Sequence, residues 1–432
     1  MGAAFSYLTS EIRFACPSRL DGAGAAGRDA DCAAAAYLTI SDDASDGAEG
    51  HGFVFSVRGS GDMQVAAIEA TMAIIEECDL DALLGDMGRT WRTLVDHTQR
   101  GWLEPDGGVA HRAAGAVINA LWDLKAKRAG LPLWRLLAGM GSEELVGLID
   151  FRYLSDALSP GEAMAILDGA RPRRAERERR LLAEGYPAAA ASPGELWYSD
   201  ELLARLCREA MASGFTQIKL KVGENLADDL RRLAIAREVC GPDVAIAVDA
   251  DRRWGVEEAV RWISALSEFD LHWVEDPTSP ADILGHAAIA HAITPVPIAT
   301  GEHALSPVMV KQLLQLNAIG YLQIDATAVN ENIASLLLAA GTGVPVCPRA
   351  GGAGLSEVVQ HLAMFDYVAV SGSSEGRAIE YVDRYHEHFV TPAVVRGGRY
   401  LAPLVAGSGA EMLSTSLGDH MWPMLAALDG VA

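Results

Sequence analysis

Cysteine is sparse and scattered. The six cysteines (Cys16, Cys32, Cys78, Cys207, Cys240 and Cys347) form no close pairs. Neither a disulfide framework nor a zinc site is expected, and a reducing cytoplasm fits. Basic residues are outnumbered, 35 Lys and Arg against 58 Asp and Glu, for a net charge of −23. That excludes nucleic-acid binding that needs a basic face. An anionic small molecule stays open, because a bound metal or a local lysine pair reverses the field locally. No apolar run reaches the length of a membrane span and no secretory signal is read at the start, so no membrane partner is expected. Met1-Gly2-Ala3-Ala4-Phe5-Ser6 satisfies the loose myristoylation pattern, but an ordinary start leading into a first strand is the reading taken. The run Gly351-Gly352-Ala353-Gly354 lacks the lysine of a phosphate loop and reads as a tight turn into a helix.

Half of the 432 residues are hydrophobic, enough for a large core and two domains, or one large and one small. Strands are expected over residues 5–14, 35–40 and 52–57. A Gly-rich loop over 21–31, expected to be mobile, separates the first two. Helical periodicity follows over 65–75 and 115–129, the latter stopped by Gly130-Leu131-Pro132. Strands followed by helices make residues 1–140 an α+β unit. From 145 strand and helix alternate. Strands are expected at 145–153, 218–221, 244–249, 271–275, 296–299, 320–325, 344–347 and 367–371. A basic helix face at 171–180 and an Ala-rich loop at 187–193 fall in the first interval. Eight strands over 145–389 predict an α/β fold with a parallel βα barrel. A doubly wound sheet competes, but it gives no reason for charged residues at successive strand ends. From 390 the tail leaves the repeat and is expected to fold back on the N-terminal unit.

Those strand ends carry the chemistry. Val244-Ala245-Ile246-Ala247-Val248 runs straight into Asp249, and Leu271-His272-Trp273-Val274 into Glu275. Val296-Pro297-Ile298-Ala299 leads through Thr300-Gly301 to Glu302, and Tyr321-Leu322-Gln323-Ile324 ends in Asp325. Any one of these acids alone reads as a surface residue at a loop start. Asp249, Glu275 and Glu302 behind three successive buried strands are costly neighbours unless a cation lies among them. All-oxygen donors suit Mg²⁺, one ion per subunit, with Mn²⁺ as the alternative. Upstream, Lys219 and Lys221 share one strand face. A second ammonium and a metal nearby both favour a neutral lysine able to take a proton. Metal and base together suit removal of a proton next to a carboxylate, with the enediolate stabilised by the cation. His303 follows a metal ligand and is a candidate to position it or the substrate.

At these residues the chain resembles the enolase superfamily, in its mandelate-racemase-like branch, and within it the acid-sugar dehydratases around L-fuconate dehydratase. The resemblance rests on Gly115-Ala116-Val117-Ile118-Asn119-Ala120, on residues 150–158, on Ile218-Lys219-Leu220-Lys221-Val222-Gly223, on Thr300-Gly301-Glu302-His303 and on Val359-Gln360-His361-Leu362-Ala363-Met364. It implies a capping α+β domain, completed by the tail 390–432, on a modified barrel. It implies Mg²⁺ on Asp249, Glu275 and Glu302, Lys221 as the base at C2, and Lys219 holding the substrate carboxylate. Asp325 matches an acid that orients a histidine, and Glu375 a substrate-contacting glutamate. A sugar-acid carboxylate as partner and a homo-oligomer follow by analogy.

The departures cluster. Cys347-Pro348-Arg349-Ala350-Gly351-Gly352 carries Arg349 where the family has the histidine that protonates the leaving 3-hydroxyl. Arginine keeps its proton at neutral pH. Ala189-Ala190-Ala191 replaces a Tyr-Thr-Thr, Asp251 replaces an asparagine, and the segment after Asp325 is shorter by about three residues on the same comparison. Gly22-Ala23-Gly24 and Cys32 depart in the first loop. Three readings follow: a Mg-dependent sugar-acid dehydratase, a racemase, epimerase or dehydratase acting on a different carboxylic acid, or a catalytically impaired metal-binding relative.

Overall fold

The computed structural model describes residues 4–14, 33–43, 47–57, 61–96, 107–352 and 354–420. The expected loop at 21–31, Cys32 and the chain beyond 420 lie outside the described residues.

The N-terminal unit is an antiparallel sheet, β1 (Phe5–Arg13), β2 (Ala33–Asp42) and β3 (Glu49–Val57), in that order. Its chief helix is Val109–Arg128. This helix is buried along most of its length from Ala113 to Ala126, because it is gripped on two sides. On one side lies β3, where a Cβ on Gly52 would drive into the Ala116 carbonyl. On the other lies the loop after Asp325, where a Cβ on Gly115 would drive into the Thr327 carbonyl. Next to that contact Asn119 Nδ2 donates to the Ala326 carbonyl at 2.7 Å, and Asn119 Oδ1 accepts from the Val329 amide at 3.0 Å. Trp122 Nε1 donates to Asn330 Oδ1 at 2.8 Å. The capping helix therefore fixes a loop of the second unit.

The second unit is a ring of parallel strands. β4 (Tyr186–Ala190), β5 (Gln217–Lys221), β6 (Ala245–Asp249), β7 (Leu271–Glu275), β8 (Ile298–Thr300) and β9 (Tyr321–Leu322) pair in sequence order. Residues 345–349 continue the ring: the Cys347 amide donates to the Leu322 carbonyl, and the Arg349 amide to that of Ile324. β10 (Ile379–Tyr381) closes it. Its Glu380 amide donates to the Pro348 carbonyl, and β10 pairs in parallel with β4. Each strand but one is followed by an outer helix, among them Asp200–Ala212, Leu226–Cys240, Val256–Leu266 and Val329–Thr342. Ser199 and Asn225 cap the first two through backbone amides.

The expected count of eight hides two errors. Residues 145–153 are not a strand. They begin inside a helix, Ser142–Gly147, whose first turn carries Glu143 and Glu144, and run on into turns. Acids there complement the helix dipole. Residues 367–371 are not a strand either, since Asp366–Val370 is a π-helical turn ending the helix Leu355–Phe365. The strands in their place are β4 and β10. β4 read as a loop because alanine has low strand propensity and Pro187 interrupts it, yet Ala188, Ala189 and Ala190 are all buried. The tail divides. β11 (Val395–Arg396) and β12 (Arg399–Tyr400) extend the barrel sheet beside β4. Farther on, the Ser408 amide donates to Asp123 Oδ1 at 2.6 Å, and the Met412 amide to Tyr37 Oη at 3.0 Å, both on the N-terminal unit.

Gly115→Ala forces the capping helix off the Thr327 carbonyl. It should lower stability by about 1–3 kcal/mol, the usual cost of overpacking. Thermal unfolding of the purified variant checks this, and an unchanged melting temperature would show that the interface has slack.

Candidate active site

The ladder residues converge because their strands are in register. Lys221 lies beside Asp249, and Asp249 beside Glu275. Below them, Ala247, Trp273, Ala299 and Cys347 form a buried apolar layer with Tyr321 against it. That layer keeps water from the floor of the site and raises the electrostatic stakes above it.

Lys219 is almost fully buried. Its Nζ lies 2.5 Å from Glu275 Oε1, 3.1 Å from Glu380 Oε1 and 3.6 Å from Asp249 Oδ2. Burial favours its neutral form, but these carboxylates outweigh it and hold the ammonium charged well above the ordinary range. Lys221 is about a third exposed (36%) and donates to Asp249 Oδ2 at 2.6 Å. Burial pulls its pKa down and Asp249 more than restores it, so the balance lies above the usual value, with Lys219 opposing. The strand end is pinned from outside by Arg232. One guanidinium nitrogen donates to the Lys221 carbonyl at 2.6 Å, and another to those of Gly194 and Glu195.

Among the acids, burial pushes Asp249 up, but Lys219 and Lys221 outweigh it and hold the carboxylate low. Its Oδ1 accepts from the Asp251 amide at 2.8 Å. Asp251 is bent back by a positive φ of 47°, a conformation aspartate tolerates. Its own carboxylate pairs with Arg252 at 2.6 Å. Glu275 is pushed up by burial. Lys219 opposes this, while Asp249, Glu302 and Glu380 add to it. Asp276 accepts a hydrogen bond from Thr300, and burial with the Glu302 charge pushes it up to about 6. Glu302 Oε1 lies 3.0 Å from His303 Nε2 and Oε2 lies 2.8 Å from Arg349 Nε. Burial raises the Glu302 pKa, but Arg349, His303 and Lys219 together outweigh it and the carboxylate stays below its usual value.

Arg349 thus pairs with Glu302. Asp325, which the resemblance matches to an acid that orients a histidine, accepts from the Thr327 amide at 2.8 Å and from its hydroxyl. Glu375 is exposed, and its amide donates to Ser373. The glutamate that enters the cluster is Glu380 on β10, which meets Lys219 and accepts from the Ala350 amide at 3.0 Å. Misplacing the last strand hid it; the signal was an acid inside the short apolar stretch Ala378-Ile379-Glu380-Tyr381. Asp276 was missed for a simpler reason, as the second of two adjacent acids.

The donors fit a hard divalent cation. Asp249, Glu275, Asp276, Glu302, Asp325 and Glu380 lie near Lys219, Lys221 and Arg349, with Arg252 also acting on Asp276 and Glu302. Glu302 Oε2, although near Arg349, is buried without a hydrogen bond of good geometry. Burial first, and the neighbouring carboxylates after it, push Glu275 and Asp276 upward. Among the described residues, the trio whose ligand atoms all lie within 4.8 Å of one another is Asp276, Glu302 and His303. Asp249 and Glu275 are drawn to the lysines instead.

Residues 202–416 match the family model described as Enolase C-terminal domain-like. Residues 30–138 match that of the Mandelate racemase / muconate lactonizing enzyme, N-terminal domain. The chain is 44% identical over 419 residues to Mitochondrial enolase superfamily member 1 of Homo sapiens, across 96% of this chain and 94% of that one. The crystal structure of that human protein matches with a TM-score of 0.93 over 98% of this chain and 97% of the other. L-galactonate dehydratase of Hypocrea jecorina is 41% identical over 426 residues, 96% of this chain and 93% of that one. An L-talarate/galactarate dehydratase of Salmonella typhimurium LT2, solved with Mg and L-lyxarohydroxamate, matches at 25% identity. Its TM-score is 0.73, over 98% of this chain and 93% of that one. No helix among the described residues is long and apolar enough to cross a membrane.

Lys219→Met would leave Glu275 buried beside other acids with no cation. The expected cost is about 3–5 kcal/mol at pH 8, as for other broken buried pairs. The sign with pH follows from the raised Glu275: as pH falls the carboxyl takes a proton and the penalty fades. Melting temperatures should therefore differ more between variant and parent at pH 8 than at pH 5. An equal gap at both pH values would contradict the assignment.

Proposed function

The chain belongs to the enolase superfamily, in its mandelate racemase and muconate lactonizing enzyme branch, and on that premise we propose that it is a hydro-lyase that dehydrates a sugar acid. The fold is that superfamily's capping domain on a barrel-like domain. Likeness to L-galactonate dehydratase over nearly the whole chain supports the substrate class. The observation that carries the chemistry is Lys221, a partly exposed amine at a strand end beside Asp249.

In this reading Asp249, Glu275 and Glu302 hold one Mg²⁺, for which Mn²⁺ can substitute, with Asp276 and His303 adjacent to Glu302. When bound, such an ion would supply positive charge that stabilises the negative charge developing on the substrate. Burial and the Lys219 ammonium both favour loss of the Lys221 proton, against the pull of Asp249. The neutral amine then takes the proton from C2, and the C–H electron pair passes into the substrate carboxylate. Lys219 stays charged and holds that carboxylate. Next the C3–O bond breaks and the hydroxyl leaves as water, taking a proton. Arg349 cannot give that proton. Lys221, protonated in the first step, can return it from the same face. The enol left behind tautomerises to a 2-keto acid. Arg349 contributes positive charge toward the departing oxygen, and Asp325 supports the Arg349 charge. Asp251 and His303 face the substrate, and Glu380 takes the part expected of Glu375.

The Arg349–Glu302 pair also favours a second reading, in which C2 exchanges its proton but the hydroxyl is kept, as in a racemase or epimerase or with another acid. Incubation with Mg²⁺ and a panel of sugar acids including L-galactonate and L-fuconate in D₂O separates the two. Dehydration predicts C2 deuterium and 2-keto acid together. Exchange alone supports the second reading. Neither, with metal still bound, points to a binding relative without turnover. Lys221→Ala should lower exchange by about 10²–10⁴-fold, the usual share of a positioned base. Full activity in that variant would remove Lys221 from the mechanism.

A further inference from the structure

Glu302 Oε1 lies 3.0 Å from His303 Nε2, and Oε2 lies 2.8 Å from Arg349 Nε as an ion pair. We propose that Arg349 is a built-in counter-ion that competes with a divalent cation for Glu302, so that metal loading is weak until an anionic ligand draws the guanidinium away. The inference rests on the metal reading above and adds its regulation.

The competition differs from that of the two lysines. Lys219 and Lys221 pair with Glu275 and Asp249, whereas the Arg349 guanidinium is set on Glu302. Arg349 is held close by its backbone. Its amide donates to the Ile324 carbonyl at 2.9 Å, the Glu380 amide donates to the Pro348 carbonyl at 3.0 Å, and the Ala350 amide donates to Glu380 Oε2 at 3.0 Å. The guanidinium is set on Glu302, and the Glu302 and Glu380 charges both favour its charged form. A Cβ on Gly351 would sit 3.7 Å from both Arg349 Nε and Glu380 Oε2. Since arginine does not lose its proton, the competition persists across the working pH range. Its side chain is 32% exposed, so a ligand carboxylate can reach the guanidinium and take it as a bidentate partner. Metal and acid ligand then load together, each strengthening the other by the same factor.

Titration of the full chain with Mn²⁺, followed by electron paramagnetic resonance, tests this without turnover. Arg349→Gln should bind Mn²⁺ about tenfold or more tightly than the parent, within the usual range for coupled sites. Arg349→Lys, which keeps the charge, should stay near the parent. L-galactonate as probe should tighten Mn²⁺ binding in the parent more than in Arg349→Gln. Circular dichroism establishes that each variant is folded. If Arg349→Gln binds no more tightly than the parent while Glu302→Gln abolishes binding, the metal reading stands and the competition is wrong. If Arg349→Lys binds as tightly as Arg349→Gln, charge is not the cause and the proposal fails. If the parent and all variants fail to bind Mn²⁺, the metal reading fails and the competition falls with it.

Discussion

Six carboxyl groups crowded above an apolar barrel floor are the constraint on which this molecule depends. Like charges at that range cannot all stay ionised in a dry site unless cations lie among them. The chain answers with Lys219, Lys221 and Arg349, each set on a different acid: Glu275, Asp249 and Glu302 respectively. Burial pushes Glu275 and Asp276 upward, and the neighbouring carboxylates add to that push. A site poised in this way is unstable as a structural device and serviceable as a receptor for a divalent ion and an acid.

The scaffold spends its close contacts on holding those side chains in place. Arg232 ties the end of β5 to the 194–195 turn. The capping helix reaches the loop after Asp325 through Gly115 and Asn119. Where that helix begins, His111 Nε2 meets Glu331 Oε2 at 3.0 Å across the two units. The acids and lysines are thus set by barrel register, and the loop on the Asp325 side is set by the cap. Loss of packing at the interface should reach the chemistry through that loop.

Much of this was legible in sequence because a βα unit repeats at a nearly fixed length. Acids at 249, 275 and 302 behind apolar stretches reveal both the barrel and its reactive end. What failed depends on contacts that local pattern does not carry. β4 is alanine and proline, and becomes a strand only because β5, β10 and β12 flank it. β9 pairs over two residues and β10 over three, too short for any period. With the last strand misplaced, Glu375 stood in for Glu380. The partner of Arg349 was also out of reach, since it depends on which neighbouring strand end its side chain leans toward. Lys219, Lys221, Asp249, Glu275, Glu302 and Arg349 were readable as members of the cluster, while Asp276, Glu380 and the pairings required coordinates.

Asp249, Glu275 and Glu302 are expected to gather around a cation when one is supplied. Crystals grown with Mn²⁺ and a sugar acid, measured at a wavelength where manganese scatters anomalously, test it directly. That gathering predicts one peak bounded by those three carboxylates, with Lys219 and Lys221 turned from Glu275 and Asp249 toward the ligand carboxylate. A peak held by Asp276, Glu302 and His303 instead, or none in the barrel, would contradict it.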